Sequence, residues 1–175
     1  HLSLNGSFSV INLYGSNALM YAIKSKMNDI ALEILKRGKY TIKEIDKLSN
    51  TPLIYACKYG LSTVANKIIE AMGYPSIEWR IDHINTYNNS ALMYACLNKM
   101  DKIVDILIDK TKTSHLVNSS FECSPLITLI KNNKTELSQK ILIKYQNMPN
   151  IVDPEGFTIL HHACVNNNTT LALNI

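Results

Sequence analysis

The sequence predicts an all-α solenoid of about five helix-turn-helix units with hairpin-like turns between them. Three observations carry this. A phrase recurs as NALMYAI from Asn17, TPLIYAC from Thr51, SALMYAC from Ser90, SPLITLI from Ser124 and TILHHAC from Thr158, at steps of 34, 39, 34 and 34 residues. A fixed period between about 20 and 50 residues marks a stack of small supersecondary units. Every phrase opens on Asn, Thr or Ser, whose side-chain oxygen can accept from the free N–H groups of a first helical turn, and Pro52 and Pro125 follow at the one helical position that tolerates proline. Behind each phrase lies a second apolar stripe at helical spacing.

The first helices are therefore expected near Ala18, Pro52, Ala91, Pro125 and Ile159. Gly60 ends one of them after about two turns, and Lys26, Lys99, Asn133 and Asn167 hold that place in the others. The second helices are read from three rows. Ile30, Val64, Ile103, Leu137 and Leu171 form one; Ile34, Ile68, Leu107, Ile141 and Ile175 lie four residues on; Leu35, Ile69, Ile108 and Leu142 stand next to those. Small Ala31, Ala65, Val104, Ser138 and Ala172 lie beside them. Gly38 and Gly73 suit the C-terminal caps. Turn-forming runs NLYGSN, DKLSNT, NTYNNS, SSFECS and DPEGFT separate the helix pairs. One helix pair cannot bury its stripe alone, so the units are expected to be stable only as a stack.

Thr51-Pro52-Leu53 with Ala56, Leu160-His161 with Ala163, and the turn pairs Asn12/Gly15 and Asp153/Gly156 together resemble the ankyrin repeat over about residues 12–175. The signature His survives only at His161, with Met20, Ile54, Met93 and Ile127 in its place elsewhere. The resemblance implies one array over 1–175, with units of approximately 12–45, 46–84, 85–118, 119–152 and a truncated 153–175, and 1–11 as the tail of a preceding unit. Five extra residues between Met72 and Thr86 predict a longer connection there, with Trp79 packed on its own repeat. Neither end reads as a polar cap and there is no initiator Met, so further repeats are expected on both sides in a longer parent chain.

Composition excludes several classes. No apolar run approaches the roughly 18 residues of a membrane span, and no basic-then-apolar leader opens the chain. The net charge of +4 comes from sixteen Lys and two Arg, dispersed rather than clustered. Four Cys with no C-x-x-C pair read as free thiols of a reducing compartment, hence a cytoplasmic location, in the host if the protein is a viral or bacterial effector. The Asn-, Ile- and Lys-rich composition suits an AT-rich genome, such as that of a large DNA virus or an intracellular bacterium. Motifs for phosphate cradling, zinc proteolysis and nucleophilic hydrolysis are absent.

The chemically suggestive residues read as structural. Cys57, Cys96 and Cys164 share their place with Ile23 and Ile130, so all three are expected to be buried core thiols; Cys123, in a turn, is expected to be exposed. His161 and His162 are adjacent on a helix, about 100° apart, so they cannot face one ion. The family resemblance implies that His161 bonds the neighbouring turn. His83 and His115 stand isolated in connections, and Asp101 and Asp105 lie one turn apart on a solvated face. No catalytic residue, cofactor or metal is expected.

What remains is a binding surface, which the resemblance places on a concave face of turn tips and first helices. Tyr14, Leu48, Tyr87 and Phe121 recur at one turn position, with Glu155 in the last unit. In the plain reading each packs on its neighbouring turn; in the sharper one they form a contact ridge. Lys24, Lys58 and Lys131, with Leu97 and Val165 at the same place, form a broken basic line, and Ser25, Tyr59, Asn98, Asn132 and Asn166 follow them. The expected function is a non-catalytic scaffold for another protein, with no small-molecule or membrane partner. Two alternatives stand beside it: the substrate-recruiting region of a larger enzyme or ubiquitin-ligase adaptor, and nucleic-acid binding along the Lys row.

Overall fold

The computed structural model describes residues 10–73, 81–111, 124–145 and 151–175. Among them are ten α-helices in five pairs. The first helices are α1 (Ala18–Lys24), α3 (Pro52–Lys58), α5 (Ala91–Leu97), α7 (Pro125–Lys131) and α9 (Ile159–Val165). The second helices are α2 (Asn28–Arg37), α4 (Ser62–Ala71), α6 (Asp101–Lys110), α8 (Thr135–Lys144) and α10 (Thr169–Asn174). A 3-10 turn spans Lys39–Lys43. First helices pack on first helices and second on second, which makes the stack a two-layer solenoid.

Each first helix begins where the repeated phrase says. The side-chain oxygens of Asn17, Thr51, Ser90, Ser124 and Thr158 accept from the N–H groups three residues on, at 3.0, 3.1, 3.2, 3.2 and 3.3 Å. Each also ends alike. The N–H groups of Lys26, Gly60, Lys99, Asn133 and Asn167 return to the carbonyls three residues back, and the next N–H groups reach Ala22, Ala56, Ala95, Leu129 and Ala163 five residues back. This paired closure needs a left-handed residue at its corner. All five positions have it, with φ between 51° and 71°. Only Gly60 among them adopts it without steric cost. The second helices end differently: Gly38 caps α2 at φ −131°, and Gly73 lies one residue past the Met72 cap of α4.

The core runs between the layers as the rows predict. Val64, Ile68, Ile103, Leu107, Ile141 and Leu171 are buried, as are Ala31, Ala65, Val104 and Ser138 beside them. Ile30 and Ile175, in the outermost units, are about half exposed. Trp79, His115, Phe121 and Cys123 lie outside the described residues.

Candidate interaction surface

The turns are built by short polar side chains. Asn12 Oδ1 accepts from the N–H groups of Tyr14 and Ser16, Asp46 Oδ1 from Leu48 and Asn50, and Asn85 Oδ1 from Tyr87 and Asn89, all at 2.7–3.1 Å. These bonds fix the backbone of each turn. Neighbouring turns are joined by backbone: Lys47 N–H donates to Tyr14 O at 2.9 Å and Thr86 N–H to Leu48 O at 3.0 Å. Tyr14, Leu48 and Tyr87 therefore stand in register on hydrogen-bonded turns, at 68%, 45% and 51% exposure. Each of these three keeps about half or more of its surface open to solvent.

Beneath three of the described turns, a first-helix side chain reaches back to the turn's Asn or Asp. Tyr21 Oη accepts from Asn12 Nδ2 at 2.8 Å, the Tyr55 hydroxyl donates to Asp46 Oδ2, and His162 Nε2 bonds Asp153 Oδ2 at 2.8 Å. Burial pushes the Tyr55 phenol up, and its bond to the Asp46 carboxylate pushes it further, so it stays a donor. Burial opposes the Asp153 charge, but the Phe157 N–H, His162 and Lys131 outweigh it and bring the pKa down to about 2.

The Lys row lies on these same residues, one unit on. Lys24 Nζ sits 5.1 Å from the Tyr21 ring centroid and 5.2 Å from that of Tyr55, while Lys58 Nζ sits 5.7 Å from that of Tyr94. Lys131 pairs with Asp153 at 3.2 Å. Tyr59 stacks on Tyr55, with centroids 6.1 Å apart. The residues that follow the row are partly structural: Asn98 Nδ2 donates to the Cys57 and Lys58 carbonyls at 2.8 and 3.1 Å, and Asn166 Nδ2 to Ile130 O at 2.5 Å. The ring platform was missed in the sequence, although Tyr21, Tyr55 and Tyr94 recur at one place of the phrase, each nine residues after a turn Asn or Asp.

Four expectations need correction. Cys57 and Cys96 are buried, with thiols pushed up by burial, but Cys164 is exposed, because no first helix of the described chain covers it. His161 does not reach another turn: its Nδ1 accepts from the Thr158 N–H at 3.1 Å and closes its own helix start, and it is His162 that holds the turn. His83 is not isolated, since its Nε2 lies 2.9 Å from Ser49 O in the preceding turn. Asp101 and Asp105 are not merely solvated. Lys134 meets Asp101 at 2.5 Å, and Lys140 bridges Asp105 and Asp109 at 2.5 and 2.8 Å, which ties α6 to α8 and raises the Lys140 pKa through those two bonds.

Among the described residues no three His, Cys, Asp or Glu side chains converge to hold a metal ion, and no helix is long and apolar enough to cross a membrane. The family profile described as "Ankyrin repeats (3 copies)" matches residues 19–116 and 92–173. The chain belongs to the ankyrin-repeat family. It is 30% identical over 91% of its length to the ankyrin repeat protein L371 of Acanthamoeba polyphaga mimivirus, a relative of which it spans about a quarter (25%). Its fold is similar to the ankyrin repeat domain of Bcl-3, a member of the IkappaB family (TM-score 0.65, 17% identity, 95% of this chain and 73% of that one). It is also similar to an ankyrin repeat domain from Acinetobacter baumannii AYE (TM-score 0.66, 22% identity, 96% and 84%). Ankyrin repeats are a general protein–protein interaction module, and such domains are typically non-catalytic.

Proposed function

We propose that this ankyrin-repeat chain is a non-catalytic scaffold that seats a protein partner on its turn-and-first-helix side. The observation that carries this is the row Tyr14, Leu48 and Tyr87, exposed on turns whose polar needs are met by other groups. Large side chains left exposed and aligned on one edge are the usual mark of a contact site. Phe121 extends the row by its place in the period. In a longer protein, such as a relative of which this chain spans about a quarter (25%), the same side would recruit a substrate for an adjoining domain. The free thiols Cys57, Cys96 and Cys164 suit a reducing compartment such as the cytoplasm.

The experiment is a double replacement, Leu48→Ala with Tyr87→Ala, tested against a peptide selected for binding from a random library. Affinity is expected to fall by about 2 kcal/mol or more, as for paired hot spots, with little change in thermal stability. Unchanged affinity with a large loss of stability would assign the row to turn packing.

A further inference from the structure

We propose that the segment recognised by this surface is acidic and extended, with an apolar residue at every third position. The inference rests on the reading of the turn row as a contact site and adds the chemistry of what it contacts.

Charge is divided between the two layers of the solenoid. The turns and first helices of the first three units, residues 12–26, 46–60 and 85–99, carry five Lys and one Asp. That one carboxylate, Asp46, is buried and engaged by the Tyr55 hydroxyl and by the Leu48 and Asn50 N–H groups. The second helices of the same units hold six carboxylates: Asp29, Glu33, Glu70, Asp101, Asp105 and Asp109. One side of these three units thus offers cations with no exposed carboxylate among them.

The way two of those cations are held is the second observation. On the other layer Lys36 pairs with Glu33, Lys67 with Glu70, and Lys134 and Lys140 with the Asp residues of α6. Lys24 and Lys58 instead rest on the faces of Tyr rings. A carboxylate neutralises an ammonium, whereas a ring face positions it and leaves its full charge available. Both side chains are thereby held over Tyr55 and Tyr94, whose hydroxyls meet the turn residues Asp46 and Asn85, with the charge unspent. A partner carboxylate set there meets an ordered cation and adds specificity to the apolar contact.

Spacing sets the form of the ligand. Adjacent units lie about 8–10 Å apart, the ordinary helix packing distance. A polyproline II strand repeats its face every three residues, at about 3.1 Å per residue, or about 9 Å. Such a strand drops an apolar side chain on each of Tyr14, Leu48 and Tyr87 and leaves two residues of every three to carry carboxylates towards the lysines. A nucleic acid fits less well. Leu48 interrupts the aromatic faces that successive bases need, and three ordered or tip lysines are few beside the six to ten phosphate contacts of a typical binder.

The test uses a fluorescein-labelled peptide of about twelve residues, with Leu at every third position and Glu and Pro between, and an analogue with Gln in place of Glu. Anisotropy is read on the whole chain. The acidic peptide is expected to bind at least about tenfold tighter than the Gln analogue, with the gap narrowing as salt is raised. Lys24→Gln with Lys58→Gln should remove that preference, while Lys24→Arg with Lys58→Arg should keep it. Equal binding of both peptides, lost with Leu48→Ala and Tyr87→Ala, would overturn the acidic inference and leave the contact ridge standing. No binding of either peptide, with the affinity for library-selected peptides unchanged by Leu48→Ala and Tyr87→Ala, would overturn both. An oligothymidylate of about the same length that binds tighter than the acidic peptide, with the same Lys dependence, would reassign the surface to nucleic acid.

Discussion

The second and fifth units say nearly the same thing and are buried quite differently. In TPLIYAC, Leu53, Ile54 and Cys57 are wholly inaccessible; in TILHHAC, their counterparts Leu160, His161 and Cys164 are exposed. The caps match, the left-handed corners match, and the helices are equal in length. What differs is the neighbour. α5 packs on α3, and Asn98 of that unit bonds the Cys57 carbonyl, whereas among the described residues no following first helix packs on α9. The first unit shows the reverse face: Tyr21 is exposed at 44% where Tyr55 and Tyr94 are at 4%. Each unit's core is therefore completed by both the unit after it and the unit before, which is the physical content of a one-dimensional stack.

The largest expected effect is on thiol reactivity. Cys164 should react with a maleimide at the rate of a free thiol in the native chain. Cys57 should react only through opening of the stack, at least about a thousandfold slower. Equal rates would break the comparison. Next comes stability. Leu53→Ala should cost about 2–5 kcal/mol in denaturant unfolding, as buried Leu truncations do, and Leu160→Ala no more than about 1 kcal/mol.

The turns sharpen the comparison through pH. The fifth turn is held by Asp153, the first and third by the neutral Asn12 and Asn85. Asp153 titrates at about 2 when folded against an ordinary 3.8, so folding favours its charged form. That contribution is complete above about pH 4 and is lost as pH falls towards 2. Asp153→Asn should therefore be less stable than the parent above pH 4, with the gap closing towards pH 2. A gap that stays constant with pH would assign the cost to something other than the carboxylate. The smallest effect is at the helix corner. Lys99 is left-handed where the second unit has Gly60, so Lys99→Gly should stabilise by about 0.5 kcal/mol, the strain relieved exceeding the added chain entropy.

Much of the fold was legible because its causes are local. The period, the capping residue and the proline after it all sit within a few residues of the helix start they dictate, so Asn17, Thr51, Ser90, Ser124 and Thr158 could be read directly. The left-handed corner was legible at Gly60 and silent at Lys26 and Lys99, where closure of the helix imposes it on a side chain that does not favour it. What lies between units was harder. Lys24 finds Tyr55, and Lys134 finds Asp101, across more than thirty residues of chain, and only the stacking register brings them together. Exposure of Cys164 was invisible for the same reason, since its own phrase is that of a buried residue. The turn row was named from register alone, and three of its four members lie where their exposure can be read.

The most direct measurement compares two side chains of equal exposure on opposite layers. Tyr14 on the turn row is 68% exposed and Ile143 on α8 is 71%. A photo-crosslinking phenylalanine derivative is placed at one position or the other, and each protein is irradiated with a peptide selected for binding to the unmodified chain. The account predicts crosslinks from position 14 and none from position 143; crosslinks from position 143 alone would contradict it.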